Sequence, residues 1–230
     1  MSNRVTCIVP VWNEAEVIER VLREVPPGQC HEIVVVDGGS TDGTREIAAK
    51  CGARVVVQQR RGYGAACAEG AQAADGDVLV FFDGDYSDPP GEIGRVVGPI
   101  LRDEADLVLG CRDLSRARNA LPLHQRLGNR AVAALVGGLT GAPLADLPSF
   151  KAIRREGLTA LGMQEMTYGW TTEMIVKAAR AGYRIEQVNV PYRPRAGGRS
   201  KVGGTLKGTV LAGFKLVQTA FRYARWRPRP

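Results

Sequence analysis

Asp83-Gly84-Asp85 sets two carboxylates two residues apart, directly after the apolar run Val78-Leu79-Val80-Phe81-Phe82. Carboxylates at the mouth of a buried strand repel one another and are costly to desolvate, so a cation is their natural compensator. Their hard oxygens suit Mg²⁺ or Mn²⁺, which keep coordination positions open for substrate phosphates. An acid-x-acid triplet alone is common by chance and can equally be a solvated turn. The strand-end position and the Asp88-Pro89-Pro90 that follows set this one apart. Other polar, glycine-rich stretches also close apolar runs: Pro10 to Glu14, Asp37 to Ser40, Arg60 to Gly64, and Arg112 to Asp113.

The elements that must carry these stretches alternate in type. Strands are predicted at 4–11, 32–36, 54–58, 77–82 and 106–110, with a late one at 184–191. Helices are predicted from Asn13-Glu14 through Arg23 and over 41–50, 64–74, 123–139, 154–161 and 171–181. Ser40 or Thr41 is the expected N-cap of the second helix and Gly52 its stop. Strands alternating with helices imply an α/β fold with a mostly parallel sheet and right-handed crossovers. In such a sheet ligands bind beyond the carboxyl ends of the strands, where the polar stretches fall.

The chain has 230 residues, 44% hydrophobic, enough for one continuous α/β domain. Five cysteines lack a CxxC pair and only two histidines are present, which argues against a zinc site or disulfide framework. No apolar run is long enough to span a membrane, and the N-terminus lacks the pattern of a signal peptide, so a cytoplasmic location is expected. The net charge of +7 is uneven: no acidic residue follows Glu186, while Arg193, Arg195, Arg199, Lys201 and further arginines and lysines do. That asymmetry points to an anionic partner such as phosphates or a membrane surface. No nucleic-acid module accompanies the charge, so nucleic acid is not expected as a partner.

Pro10-Val11-Trp12-Asn13-Glu14, the stretch Val36 to Thr44 and Asp83-Gly84-Asp85 together resemble the family 2 glycosyltransferases, whose fold is the nucleotide-diphospho-sugar transferase fold called GT-A. Gly110 to Asp113, Asp146 to Ile153, and Tyr192 to Arg195 with Ser200-Lys201 resemble the dolichol-phosphate mannose synthase branch, whose acceptor is a polyprenyl phosphate. The resemblance spans roughly residues 4 to 205. It implies a metal-dependent, inverting transfer of a sugar from a UDP- or GDP-linked donor. By position, Pro10, Trp12, Glu14 and Asp37 would lie along the nucleotide, and Asp83 and Asp85 would hold the metal and, with Gly84, the diphosphate. Arg112, Arg195 and Lys201 would face the donor phosphates, where a guanidinium fork and an ammonium both suit the oxygens. Asp85 and Arg195 are thus the candidate catalytic groups on the donor side.

On the acceptor side, the resemblance places Glu173 as a catalytic base or a loop-ordering carboxylate. Asp146 would organise the acceptor loop, and Arg126 would meet an acceptor phosphate. A phosphate acceptor is already ionised and needs no base, whereas a hydroxyl does. Two departures stand out. Gly38 replaces a second Asp that contacts the nucleotide in many relatives, and Ser87 replaces a metal-binding Gln, with Asp88 or water as substitutes.

Residues 1–204 are read as the GT-A domain and 205–230 as a basic helix and tail. Leu206, Val210, Phe214, Val217, Phe221 and Ala224 recur at helical spacing, with Lys207, Lys215, Arg222 and Arg225 on another face. Such a helix suits peripheral docking at an anionic membrane, or packing on its own domain or on a second subunit of a homo-oligomer. A soluble transferase acting on a small metabolite or nucleoside-like acceptor, and a non-catalytic nucleotide-sugar-binding or scaffold protein, are the alternatives.

Overall fold

Short β-branched runs set the sheet, and amphipathic or alanine-rich segments cover it. In the computed structural model, residues 4–113, 123–141, 143–193 and 206–228 are described, with backbone alone at 123–127 and 206–211. The strands are β1 (Val5–Val11), β2 (Glu32–Asp37), β3 (Arg54–Val57), β4 (Val78–Phe81), β5 (Leu107–Arg112), β6 (Lys151–Arg154) and β7 (Ile185–Val190). They form one sheet in the order β3-β2-β1-β4-β6-β5-β7. All pairings are parallel except those of β6, which runs against both β4 and β5. The fold is the α/β, mostly parallel architecture expected for GT-A.

The helices are α1 (Ile18–Arg23), α2 (Thr44–Lys50), α3 (Tyr63–Ala73), α4 (Ile93–Leu101), α5 (Leu123–Thr140), α6 (Arg155–Leu161), α7 (Trp170–Arg180) and α8 (Leu206–Tyr223). One apolar layer gathers Val9, Val21, Val35, Val80 and Ile100, and the other Ile8, Val36, Phe81, Leu109 and Trp170. Both faces of β1, β2 and β4 are therefore buried, which explains their continuous apolar sequences. Trp170 packs in the core beside Phe81, whereas Tyr168 is exposed.

Three details differ from the sequence reading. The second helix starts at Thr44 rather than Thr41, and its N-cap position is Gly43, at φ 92°. Asp42 does the capping chemistry from just outside, accepting the Thr44 N–H and hydroxyl. Two elements were not anticipated. Helix α4 contains two glycines and Pro99, a poor helical composition that tertiary packing overrides. Strand β6 is four residues long and begins with a charged residue, Lys151, which is nevertheless fully buried.

Helix α8 packs on α5 and α7 of its own chain. The Lys177 ammonium on α7 faces the rings of Tyr223 (4.7 Å) and Trp226 (5.3 Å), fixing the end of α8. Phe214 and Phe221 stand outward, 65% and 56% exposed. No helix among the described residues is long and apolar enough to cross a membrane.

Candidate active site

The loops after β1 and β2 are laced together by side chains from the sequence motifs. Asn13 takes a left-handed conformation (φ 55°), its N–H donating to Ser40 Oγ at 2.8 Å while its Oδ1 accepts the Thr41 N–H at 2.9 Å. Glu14 N–H donates to Thr44 Oγ1, and Ala15 N–H to Asp42. Thus Asn13, Ser40, Asp42 and Thr44 build the frame of the loops after β1 and β2. Asp37 is fully buried, and its carboxylate accepts the N–H groups of Gly39 and Ser40 with Arg45 nearby at 3.4 Å. It shapes the turn at the end of β2. Trp12 is 48% exposed on this rim, Glu14 is buried, and Pro10 is half-buried at the end of β1.

Beyond β4, Asp83 and Asp85 stay partly exposed while Asp88 is buried. Gly84 is required by close packing: a Cβ there would lie 2.5 Å from Val11 Cγ1. Ser87 donates from both its N–H (2.9 Å) and its hydroxyl (2.6 Å) to Asp85 Oδ1, orienting that carboxylate. Tyr86, at φ 70°, is clasped by Arg20 and Arg193, whose guanidinium carbons lie 4.1 and 4.7 Å from its ring centre.

Three carboxylates, Asp83, Asp85 and Asp88, crowd this loop. Burial first, then Asp88 and Asp85, push the Asp83 carboxyl up to about 8. Burial likewise pushes Asp88 up to about 6, despite hydrogen bonds from the Asp83 N–H and Ser149. Lys151, at the start of β6, supplies buried positive charge close to Asp83 and Asp88, and burial in turn lowers its own pKa. Its Nζ donates to the Ser149 carbonyl at 2.8 Å. Sequence reasoning missed Lys151 and Ser149 because β6 itself was missed. Among the described residues no group of three or more His, Cys, Asp or Glu side chains is arranged to hold a metal alone. The carboxylates of Asp83 and Asp85, crowded by Asp88, nonetheless fit Mg²⁺ or Mn²⁺, which complete their shells with water and substrate oxygens.

Arg112, at the end of β5, forms a two-pronged ion pair with Asp146, both contacts 2.6 Å. Asp146 also accepts the N–H of Leu147, so it fixes Arg112 and the loop before β6 together. Glu173 lies elsewhere. It is fully buried in the first turn of α7, 2.6 Å from Lys177, and accepts the N–H groups of Gln164 and Glu165. Of the two roles expected for Glu173, base or loop-ordering carboxylate, the geometry fits the second: it ties residues 164 and 165 to α7. Arg195 and Lys201 lie outside the described residues, as does the side chain of Arg126 on α5. Two open clefts, one lined by Arg4, Cys30 and Leu101 and the other by Asp106, Arg154 and Tyr183, sit at the opposite ends of the strands.

A mostly parallel sheet with side-chain-laced loops after β1 and β2, an acidic triplet after β4 and a reversed strand between β4 and β5 defines a class: the GT-A glycosyltransferases. The family description "Glycosyl transferase family 2" matches residues 6–159. The chain belongs to that family and is a glycosyltransferase. An uncharacterized glycosyltransferase of Mycobacterium bovis is 36% identical over 215 residues, covering 92% of this chain and 95% of the relative. A dolichyl-phosphate hexose transferase of Haloferax volcanii is 36% identical over 83% of each chain. Among solved structures, glucosyl-3-phosphoglycerate synthase of Mycobacterium tuberculosis, in complex with Mn²⁺, UDP-glucose and phosphoglyceric acid, superposes with a TM-score of 0.78. It is 26% identical, and the match covers 99% of this chain and 81% of that one.

Proposed function

We propose that this glycosyltransferase moves a sugar, with inversion, from a UDP- or GDP-linked donor to a phosphate-bearing acceptor, a polyprenyl phosphate at a membrane surface being the leading case. The observation that carries the reading is the pair Asp83 and Asp85 at the mouth of β4, with Asp85 oriented by Ser87 and Asp83 crowded by Asp85 and Asp88. They would hold Mg²⁺ or Mn²⁺, which when bound supplies charge neutralisation to a leaving diphosphate. Ser87 aims Asp85, and Asp88 fixes the backbone of Asp83. Pro10 and Trp12 line the nucleotide rim, with Glu14 and Asp37 shaping the loops beneath it. Arg112, aligned by Asp146, Arg195 and Lys201 add positive charge toward the phosphates, and Arg126 meets the acceptor. An ionised phosphate attacks without a base, which agrees with the engagement of Glu173 in loop ordering.

The dolichyl-phosphate relative supports a lipid-phosphate acceptor. The outward Phe214 and Phe221, with Arg222 and Arg225 exposed nearby, support peripheral contact of α8 with an anionic membrane. A second reading, a soluble transferase acting on a small phosphorylated metabolite, is favoured by the likeness to the phosphoglycerate-bound synthase. Transfer from UDP- and GDP-sugars with Mn²⁺, assayed with polyprenyl phosphate and with phosphoglycerate, separates the two. Loss of all turnover in a folded Asp85→Ala protein is expected. Absence of turnover in the native protein with both acceptors and every donor would overturn the phosphate-acceptor reading.

A further inference from the structure

Gln58, just beyond β3, is a side chain that the nucleotide reading leaves unused. Its N–H donates to the Asp37 carbonyl at 2.9 Å, so it extends the β2–β3 pairing by one step toward the candidate site. The side chain is half-buried, and its Nε2 donates to two carbonyls, those of Arg60 (2.5 Å) and Gly62 (2.7 Å). Carbonyl oxygens accept and never donate, so these partners fix which end of the carboxamide is nitrogen. The oxygen is thereby aimed the other way. Oε1 lies 3.1 Å from the point where a Cβ on Gly38 would stand, and Trp12 Cβ lies 3.5 Å from that same point. Gly38 is itself exposed, with its N–H donating to the Val11 carbonyl at 2.8 Å. An acceptor oxygen locked by two backbone bonds thus faces an exposed shelf beside Trp12 Cβ, where position 38 contributes no side chain.

We propose that Gln58 Oε1 reads the donor's nucleobase by accepting a ring N–H, as offered by uracil at N3 or guanine at N1. The proposal rests on the nucleotide-sugar reading above. Cytosine and adenine present a lone pair at the corresponding ring nitrogen, and two facing acceptors repel. Nor can the carboxamide turn over to suit them, because that would strip the Arg60 and Gly62 carbonyls of their donor. A site built to pair one polar group rejects ligands that lack it more sharply than an apolar pocket does. Glycine at position 38 keeps this oxygen uncovered, since a Cβ there would press on it.

The test is calorimetric binding of UDP, GDP, CDP and ADP with Mn²⁺, together with the ring-N-methylated form of whichever base binds best. The native protein is expected to prefer UDP or GDP over CDP and ADP by about tenfold or more, and methylation to cost a similar factor. In Gln58→Met, which removes the acceptor at similar volume, both ratios are expected to shrink to roughly threefold or less. Unchanged ratios in a folded Gln58→Met protein overturn the proposal, as does equal native binding of all four nucleotides. Should Gln58→Met fail to fold, equal binding of the methylated and parent bases by the native protein overturns it alone. Failure of every nucleotide to bind would instead sink the donor-site reading, and this inference with it.

Discussion

Asp88 Oδ2 accepts the backbone N–H of Asp83 at 2.9 Å, and the same oxygen accepts the Ser149 hydroxyl at 2.8 Å. One buried carboxylate therefore ties the acidic loop after β4 to the segment entering β6. The link is indirect with respect to chemistry, since Asp88 holds the residue that would hold the metal.

Asp88→Ala should leave the Asp83 N–H and the Ser149 hydroxyl without their acceptor, lowering folding stability by about 2–3 kcal/mol. Asp88→Asn keeps an acceptor oxygen and removes one of the crowded charges, so its loss should be smaller. Urea unfolding of the three proteins checks the order. Similar losses for Asn and Ala would show that charge, rather than the hydrogen bonds, matters at this position.

Arg112 and Asp146 form a largely buried pair, with side chains 20% and 4% exposed. Removing either partner should cost about 3 kcal/mol or more, because the other is left uncompensated. The double variant Arg112→Met with Asp146→Leu should cost clearly less than the two single changes added together. A double-mutant cycle in denaturant measures that coupling, and additivity would mean that the pair contributes nothing.

Glu173→Gln separates a structural from a chemical role. It leaves the Lys177 ammonium buried without its counter-charge, so a stability loss of roughly 3 kcal/mol is expected. Turnover per folded molecule and its pH profile should stay near native. A folded variant whose kcat collapses would restore Glu173 as a reacting group.

The acid limb of stability should run through Glu24. Its carboxyl is held below the usual 4.5, first by the hydrogen bond from Arg193. A folded pKa lower than the unfolded one contributes stability above the unfolded value, and that stability fades as pH falls through the folded value. Arg193→Gln should therefore flatten the decline in melting temperature between about pH 5 and 3. An unchanged slope would assign acid sensitivity to other pairs, such as Asp106 with Arg184.

Continuous Val, Ile and Leu runs made the parallel strands legible, because burial on both faces leaves a plain signal. The acidic triplet was legible for the same reason: charge stands out at the end of an apolar run. Strand β6 escaped because Lys151 and Arg154 bracket only two apolar residues, and a buried lysine looks like a surface one in sequence. The backbone partners of Asp37 and Glu173 were hidden for a related reason. Residue type shows that a carboxylate is present, but only the fold shows that backbone N–H groups already engage it. Gln58 carried no signal at all, since its importance lies in the direction its amide points.

The reversed direction of β6 has a consequence for how this architecture diversifies. Phe81 and Leu109 both pair with Lys151, so the first residue of β6 lies beside the end of β4 and the middle of β5. The four strands β3, β2, β1 and β4 form an uninterrupted parallel unit, and the rest of the sheet is joined to it by one antiparallel seam. Exchange of everything after that seam between homologues would swap the second half of the molecule as a cassette while leaving the first intact. Chimeras cut between α4 and β5 should fold, which the cooperativity of their urea unfolding would check.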